Sequence, residues 1–94
     1  NDRHGIYVTA SDSKITDNLV RGNGLDTVGT YHGIYLDGTS DRCQVVGNTC
    51  MCDGDTTEDG IVLADGAVAC LINDNYIYNL MGDGICLVAN NLNC

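Results

Sequence analysis

This 94-residue chain has no proline, no tryptophan and no phenylalanine. Without proline its turns rest on Gly, Asn and Asp, residues that enter the left-handed backbone region at low cost. Positive charge is nearly absent too. Arg3, Lys14, Arg21 and Arg42 are the only basic residues against thirteen acids, for a net charge of −9. Such a chain lacks the basic footprint that a nucleic-acid partner requires and is repelled by an anionic membrane surface. No apolar run approaches membrane-span length, and no signal peptide is present. No segment holds apolar residues at three-four spacing over three turns, which excludes a helical bundle.

What the chain does have is a repeat. Gly5-Ile6-Tyr7-Val8 returns as Gly33-Ile34-Tyr35-Leu36, Gly60-Ile61-Val62-Leu63 and Gly84-Ile85-Cys86-Leu87, at spacings of 28, 27 and 24 residues. A second phrase recurs within each interval: Ile15-Thr16-Asp17-Asn18-Leu19-Val20, Val45-Val46-Gly47-Asn48-Thr49-Cys50 and Ile72-Asn73-Asp74-Asn75-Tyr76-Ile77. Short alternating strands at a period in the twenties imply a solenoid, whose repeats bury their apolar faces only by stacking. Strand alternation sends Ile6, Ile34, Ile61 and Ile85 inward, with Val8, Leu36, Leu63 and Leu87 beside them. The second phrase adds the inward rows Ile15/Val45/Ile72 and Val20/Cys50/Ile77. Tyr7, Tyr35, Val62 and Cys86 then form an outward surface row. Asn18, Asn48 and Asn75 recur at one bend, where stacked amides can bond their copies and serve turn backbone groups.

Six cysteines is a high count for this length. Cys43, Cys70 and Cys94 each fall ten residues after a repeat glycine, so they stack as a ladder of either packed thiols or disulfide-linked neighbours. Cys50 takes an inward position. Cys50-Met51-Cys52 is C-x-C without a nearby histidine, which does not suit zinc.

The repeat Gly-Ile-x-Leu followed by Ile-x-x-Asn-x-Ile resembles the right-handed parallel β-helix of pectate-lyase-like proteins. That resemblance implies an all-β solenoid of about three and a half coils, spanning 1–94 as one domain. No helix that could cap either end is evident, so we expect a piece of a longer protein or a unit that stacks end to end. Asn1-Asp2-Arg3-His4-Gly5, with Ser13-Lys14-Ile15-Thr16-Asp17-Asn18 and Gly22-Asn23-Gly24, resembles one coil of the catalytic module of mannuronan C5-epimerases, secreted bacterial enzymes acting on alginate. The resemblance implies that Arg3 and His4 contact uronate carboxylates, which a guanidinium pairs bidentately. The family's Tyr-x-x-Asp-Pro-His segment has no counterpart here, so the likeness implies substrate contact and no firm catalytic residue.

Residues preceding the repeat glycines read His4, His32, Asp59 and Asp83. Stacking sets His4 beside His32, a pair suited to sugar binding or proton transfer. It also sets Asp59 beside Asp83, which repel unless a cation or proton intervenes. Asp53, Asp55, Glu58 and Asp59 form a hard-oxygen cluster suited to Ca2+, although the spacing is not that of an EF-hand. The loops Gly22–His32 and Asp53–Asp59 leave the same corner, where a solenoid builds a groove wall. The expected groove is lined by Arg3, His4, Tyr7, His32, Tyr35 and Asp37, with the tyrosines available to stack on sugar rings. The expected function is that of a secreted module facing an acidic polysaccharide. The other class consistent with the repeat is a stacking unit of an extracellular fibre or adhesin, without chemistry.

Overall fold

A computed structural model describes residues 4–21, 31–51, 59–78, 82–92 and 94. The first coil runs through β1 (Ile6–Val8), β2 (Lys14–Thr16) and β3 (Leu19–Arg21). The second follows with β4 (Ile34–Leu36), β5 (Gln44–Val46) and β6 (Thr49–Met51), and the third with β7 (Ile61–Leu63), β8 (Leu71–Asn73) and β9 (Tyr76–Tyr78). A last strand, β10 (Ile85–Leu87), opens the fourth coil. Among the described residues, strands pair with their equivalents in adjacent coils. The result is three parallel sheets, β1-β4-β7-β10, β2-β5-β8 and β3-β6-β9, here called sheets A, B and C. This is an all-β parallel β-helix.

The register is the one the repeats imply. Ile6, Ile34, Ile61 and Ile85 align across sheet A, as do Val8, Leu36, Leu63 and Leu87. Ile15, Val45 and Ile72 align in sheet B, and Val20, Cys50 and Ile77 in sheet C. These rows fill the interior: Ile34, Leu36, Val45, Ile61 and Leu63 are each 0% exposed. Burying one such side chain contributes roughly 1.5–3 kcal/mol. Val62 departs from the expected surface row. It stands outside the core cluster, yet it is 2% exposed. It is a short side chain on an interior strand, paired on both sides to Tyr35 and Cys86.

Corners are made by left-handed residues repeated from coil to coil. Asp17, Gly47 and Asp74 (φ 57°, 71° and 55°) turn the chain between sheets B and C, and Asp12, Arg42 and Ala69 (φ 58°, 55° and 57°) turn it before sheet B. The residue after the first of these turns is the stacked asparagine. Asn48 Oδ1 accepts the Asn18 N–H at 3.0 Å, and Asn75 Oδ1 accepts the Asn48 N–H at 2.9 Å. The side-chain amides continue inward, with Asn48 Nδ2 donating to the Ile15 carbonyl and Asn75 Nδ2 to the Val45 carbonyl, at 2.9 and 2.8 Å. A buried amide left unserved would cost about 1–3 kcal/mol, so this row both closes the corner and satisfies it.

Cys43, Cys50, Cys70, Cys86 and Cys94 are free thiols, and Cys52 lies outside the described residues. The ladder of Cys43, Cys70 and Cys94 is a row of weak donors. Their thiols point at the Ala10, Ser40 and Ala67 carbonyls of the preceding coil, at 3.3, 3.1 and 3.7 Å. The row begins with Ser13, since Lys14 pairs with Gln44, and Ser13 Oγ lies 3.5 Å from the same Ala10 carbonyl. Burial pushes the Cys50 thiol up to about 11, which keeps it a packed hydrophobe rather than a nucleophile.

Candidate functional site

Four of the expected groove residues, His4, Tyr7, His32 and Tyr35, come together at sheet A. Tyr7 and Tyr35 sit opposite each other on β1 and β4, and His4 and His32 precede those strands. Tyr35 is nearly parallel to its neighbours: its ring centroid lies 4.7 Å from His4, 5.2 Å from Tyr7 and 5.7 Å from His32, with interplanar angles of 19°, 24° and 13°. His4 and His32 stack on each other at 5.3 Å. Tyr31, which the repeat does not single out, joins the cluster edge-on to His4 at 5.0 Å. Its signal was an aromatic residue immediately before the histidine of the repeat.

Stacking along the solenoid axis changes what these rings offer. Rings of the first coil stack on Tyr35, whereas Tyr7 in the same row is 55% exposed. Burial, then the charges of Tyr7 and Asp37, raise the Tyr35 phenol above its ordinary value. Tyr35 therefore remains a neutral phenol that can donate.

The residues before the glycines form a hydrogen-bonded column. His4 Nδ1 accepts the His32 N–H at 2.9 Å, His32 Nδ1 accepts the Asp59 N–H at 3.3 Å, and Asp59 Oδ1 accepts the Asp83 N–H at 2.6 Å. His32 Nδ1 also lies 3.4 Å from Asp59 Oδ2. The two contacts compete for one nitrogen. The same N–H bond recurs above and below in the column, which favours Nδ1 as acceptor and a neutral His32. In the same column Asp59 meets the backbone N–H of its neighbour Asp83.

Asp37 is drawn into its own turn. Its Oδ1 accepts the Thr39 N–H at 2.9 Å and the Thr39 hydroxyl at 2.6 Å, with the Ser40 hydroxyl at 3.3 Å. These bonds, the Thr39 hydroxyl foremost, hold its carboxyl below the usual range. Arg3 lies outside the described residues, as do Asp53, Asp55 and Glu58 of the expected calcium cluster. Asp59, the described member of that cluster, is buried and has Oδ1 committed to the column. Among the described residues no group of three or more His, Cys, Asp or Glu could hold a metal ion.

Further along the same face the chemistry changes. Cys86 aligns with Val62, and Asp59 and Asp83 raise its thiol after burial does. Arg42, at the turn before sheet B, is paired bidentately with Asp12 at 2.7 and 3.0 Å and takes no part in this face. Lys14 lies on sheet B.

No curated protein and no solved structure matches the chain. The narrower likeness to mannuronan C5-epimerases therefore finds no support in these comparisons. The model of the family described as right handed beta helix region matches residues 1–94. With three parallel sheets whose rows repeat coil by coil, the chain belongs to the right-handed β-helix family.

Proposed function

We propose that this β-helix is a secreted module that binds an acidic polysaccharide along the outer face of sheet A, with its contacts in the first two coils. The observation that carries this reading is the cluster of His4, Tyr7, Tyr31, His32 and Tyr35 on one face. A linear polymer suits a linear row of equivalent positions, and phenol hydroxyls donate to carboxylate and hydroxyl oxygens. Arg3, next to His4 in the sequence, is the carboxylate partner in this reading. The overall charge of −9 opposes a polyanion. Asp59 and Asp83 lie in the later coils, which confines the contact to the earlier ones. We assign no catalysis to these residues.

Calorimetric titration with oligomannuronate and oligogalacturonate tests the reading. Measurable binding is expected, weakened by about 1.5–3 kcal/mol in Arg3→Ala and scarcely changed in Lys14→Ala. An equal loss in both variants would indicate a diffuse charge effect, and absence of binding would remove the polysaccharide altogether. The Ca2+ proposal at Asp53, Asp55, Glu58 and Asp59 has its own check. The melting temperature should rise with Ca2+ and lose that response in the Asp55→Asn, Asp59→Asn double variant.

The second reading is a stacking unit, which would dock a further copy on the row of Ile85 and Leu87, 47% and 49% exposed. Sedimentation showing concentration-dependent end-to-end oligomers that Ile85→Lys abolishes would support it.

A further inference from the structure

We infer that Cys70 and Cys94 are an oxidisable pair, in which exposed Cys94 takes up a small-molecule disulfide and passes the oxidation to buried Cys70, clasping the fourth coil to the third. The pair is independent of both functional readings above.

Both thiols are free in the structure and share a ladder with Cys43. Cys43 and Cys70 are 0% and 3% exposed, so among the ladder cysteines Cys94 is the one that meets solvent. Cys94 Sγ accepts the Cys70 N–H at 3.2 Å, across 24 residues of chain. The two backbones run side by side here, since the Ala69 N–H donates to the Leu92 carbonyl at 2.7 Å. Adjacent rungs of a parallel sheet lie about 4.8 Å apart, inside the Cα separation of roughly 4.4–6.8 Å that a disulfide spans. Burial foremost raises the Cys70 thiol, and a hydrogen bond between the two side chains adds to the rise. Cys70 Sγ points at the Ser40 carbonyl at 3.1 Å. A rotamer change about its Cα–Cβ bond carries the sulfur toward Cys94 and gives up only this weak thiol bond.

Access sets the order of steps. The Cys94 thiolate attacks one sulfur of a reagent RSSR, forming a mixed disulfide at Cys94 and releasing RS−. Cys70 then loses its proton and attacks the Cys94 sulfur. The S–S bond between the cysteines forms, the bond to the reagent breaks, and a second RS− leaves. The two thiol protons end on the two released thiols, and the protein has given two electrons to the reagent. The product closes a loop that contains β8, β9 and β10 and restricts the unfolded chain. Strand β10 is then fastened covalently as well as by its hydrogen bonds to β7.

Incubation of the reduced chain with oxidised glutathione, followed by alkylation in denaturant and peptide mapping by mass spectrometry, tests the pair. A Cys70–Cys94 link is expected, with Cys43 and Cys50 alkylated. Glutathione persisting on Cys94 beside an alkylated Cys70 would overturn the inference, as would a link from either cysteine to another partner. Cys70→Ser deletes the second thiol, so Cys94 should then retain glutathione. Cys94→Ser lies at an exposed position and should fold like the wild type, with Cys70 unmodified. Glutathione on Cys70 in that variant would show that the buried thiol is reached directly and would overturn the order of steps. Oxidation should raise the melting temperature of the wild type and not that of Cys94→Ser. A linked wild type that melts no later than the reduced chain would overturn the clasp.

Discussion

Along sheet A, one residue separates two regimes. Ile34 and Tyr35 are consecutive on β4, and both belong to rows that run the length of the sheet. The inner row is isoleucine in every coil. The outer row drifts from Tyr7 and Tyr35 to Val62 and Cys86, while the residues before the glycines drift from histidine to aspartate. The inner positions face one continuous core, where a change of volume or polarity is felt by the coils on either side. The outer positions answer only to their ladder neighbours, and the column before the glycines demands no more than a side-chain acceptor. His and Asp both satisfy that demand. Side-chain chemistry in this fold therefore varies where the stacking is permissive, and on this face it changes between coils two and three.

Substituting both sides of one strand gives the largest contrast. Ile34→Asp should abolish folding, since an unpaired buried charge costs several kcal/mol, and circular dichroism should lose its β signal. Tyr35→Asp on the same strand should leave the fold in place and remove the ring row. Equal damage from the two would erase the distinction between faces.

Alkaline pH probes the interior from another side. The Cys50 thiol, raised by burial from 9.0 to about 11, favours the folded state as long as the thiol is protonated. Its contribution is complete below the unfolded value. It is lost as pH rises from about 9 to about 11, because the unfolded chain then holds fewer protons. The loss is on the order of 2–3 kcal/mol, and Cys50→Ser should flatten that part of a urea-denaturation profile against pH. In native alkylation below that range, exposed Cys94 should be labelled, whereas buried Cys43, Cys50 and Cys70 should not.

The corners separate coil positions more finely. Asn48→Ala deletes the acceptor of the Asn18 N–H in a buried setting and should cost about 1–3 kcal/mol. Ala69 holds φ 57° without a side chain that bonds locally. An ordinary residue there is strained by about 1–2 kcal/mol, so Ala69→Gly should stabilise by up to about 1 kcal/mol after glycine's greater unfolded-state entropy is deducted. Chemical denaturation measures both.

Much of this was legible in the sequence because a solenoid converts spacing into contact. The four inner rows, the Asn18/Asn48/Asn75 column and the Cys43/Cys70/Cys94 ladder all follow from aligned repeats. Ser13 escaped that alignment. The turn from β1 to β2 has two fewer residues than its equivalents between β4 and β5 or β7 and β8, so counting ten from Gly5 lands on Ile15. The roles of His4 and His32 were only half visible. Alternation and stacking told that they neighbour each other, but torsion angles decide which nitrogen meets the next N–H. Tyr35 shows the same limit, since pleating points the ring outward without telling whether its face or its edge meets solvent. Asp37 seemed available to a ligand until the hydroxyls of Thr39 and Ser40 two and three residues on claimed its oxygen.

Residue-resolved amide-shift titration with oligomannuronate tests the central claim most directly. The account predicts shifts concentrated at His4, Tyr7, His32 and Tyr35, fading toward Asp59 and Asp83. Shifts centred on Thr49, Met51 and Tyr78 of sheet C, or spread evenly over all coils, would contradict it.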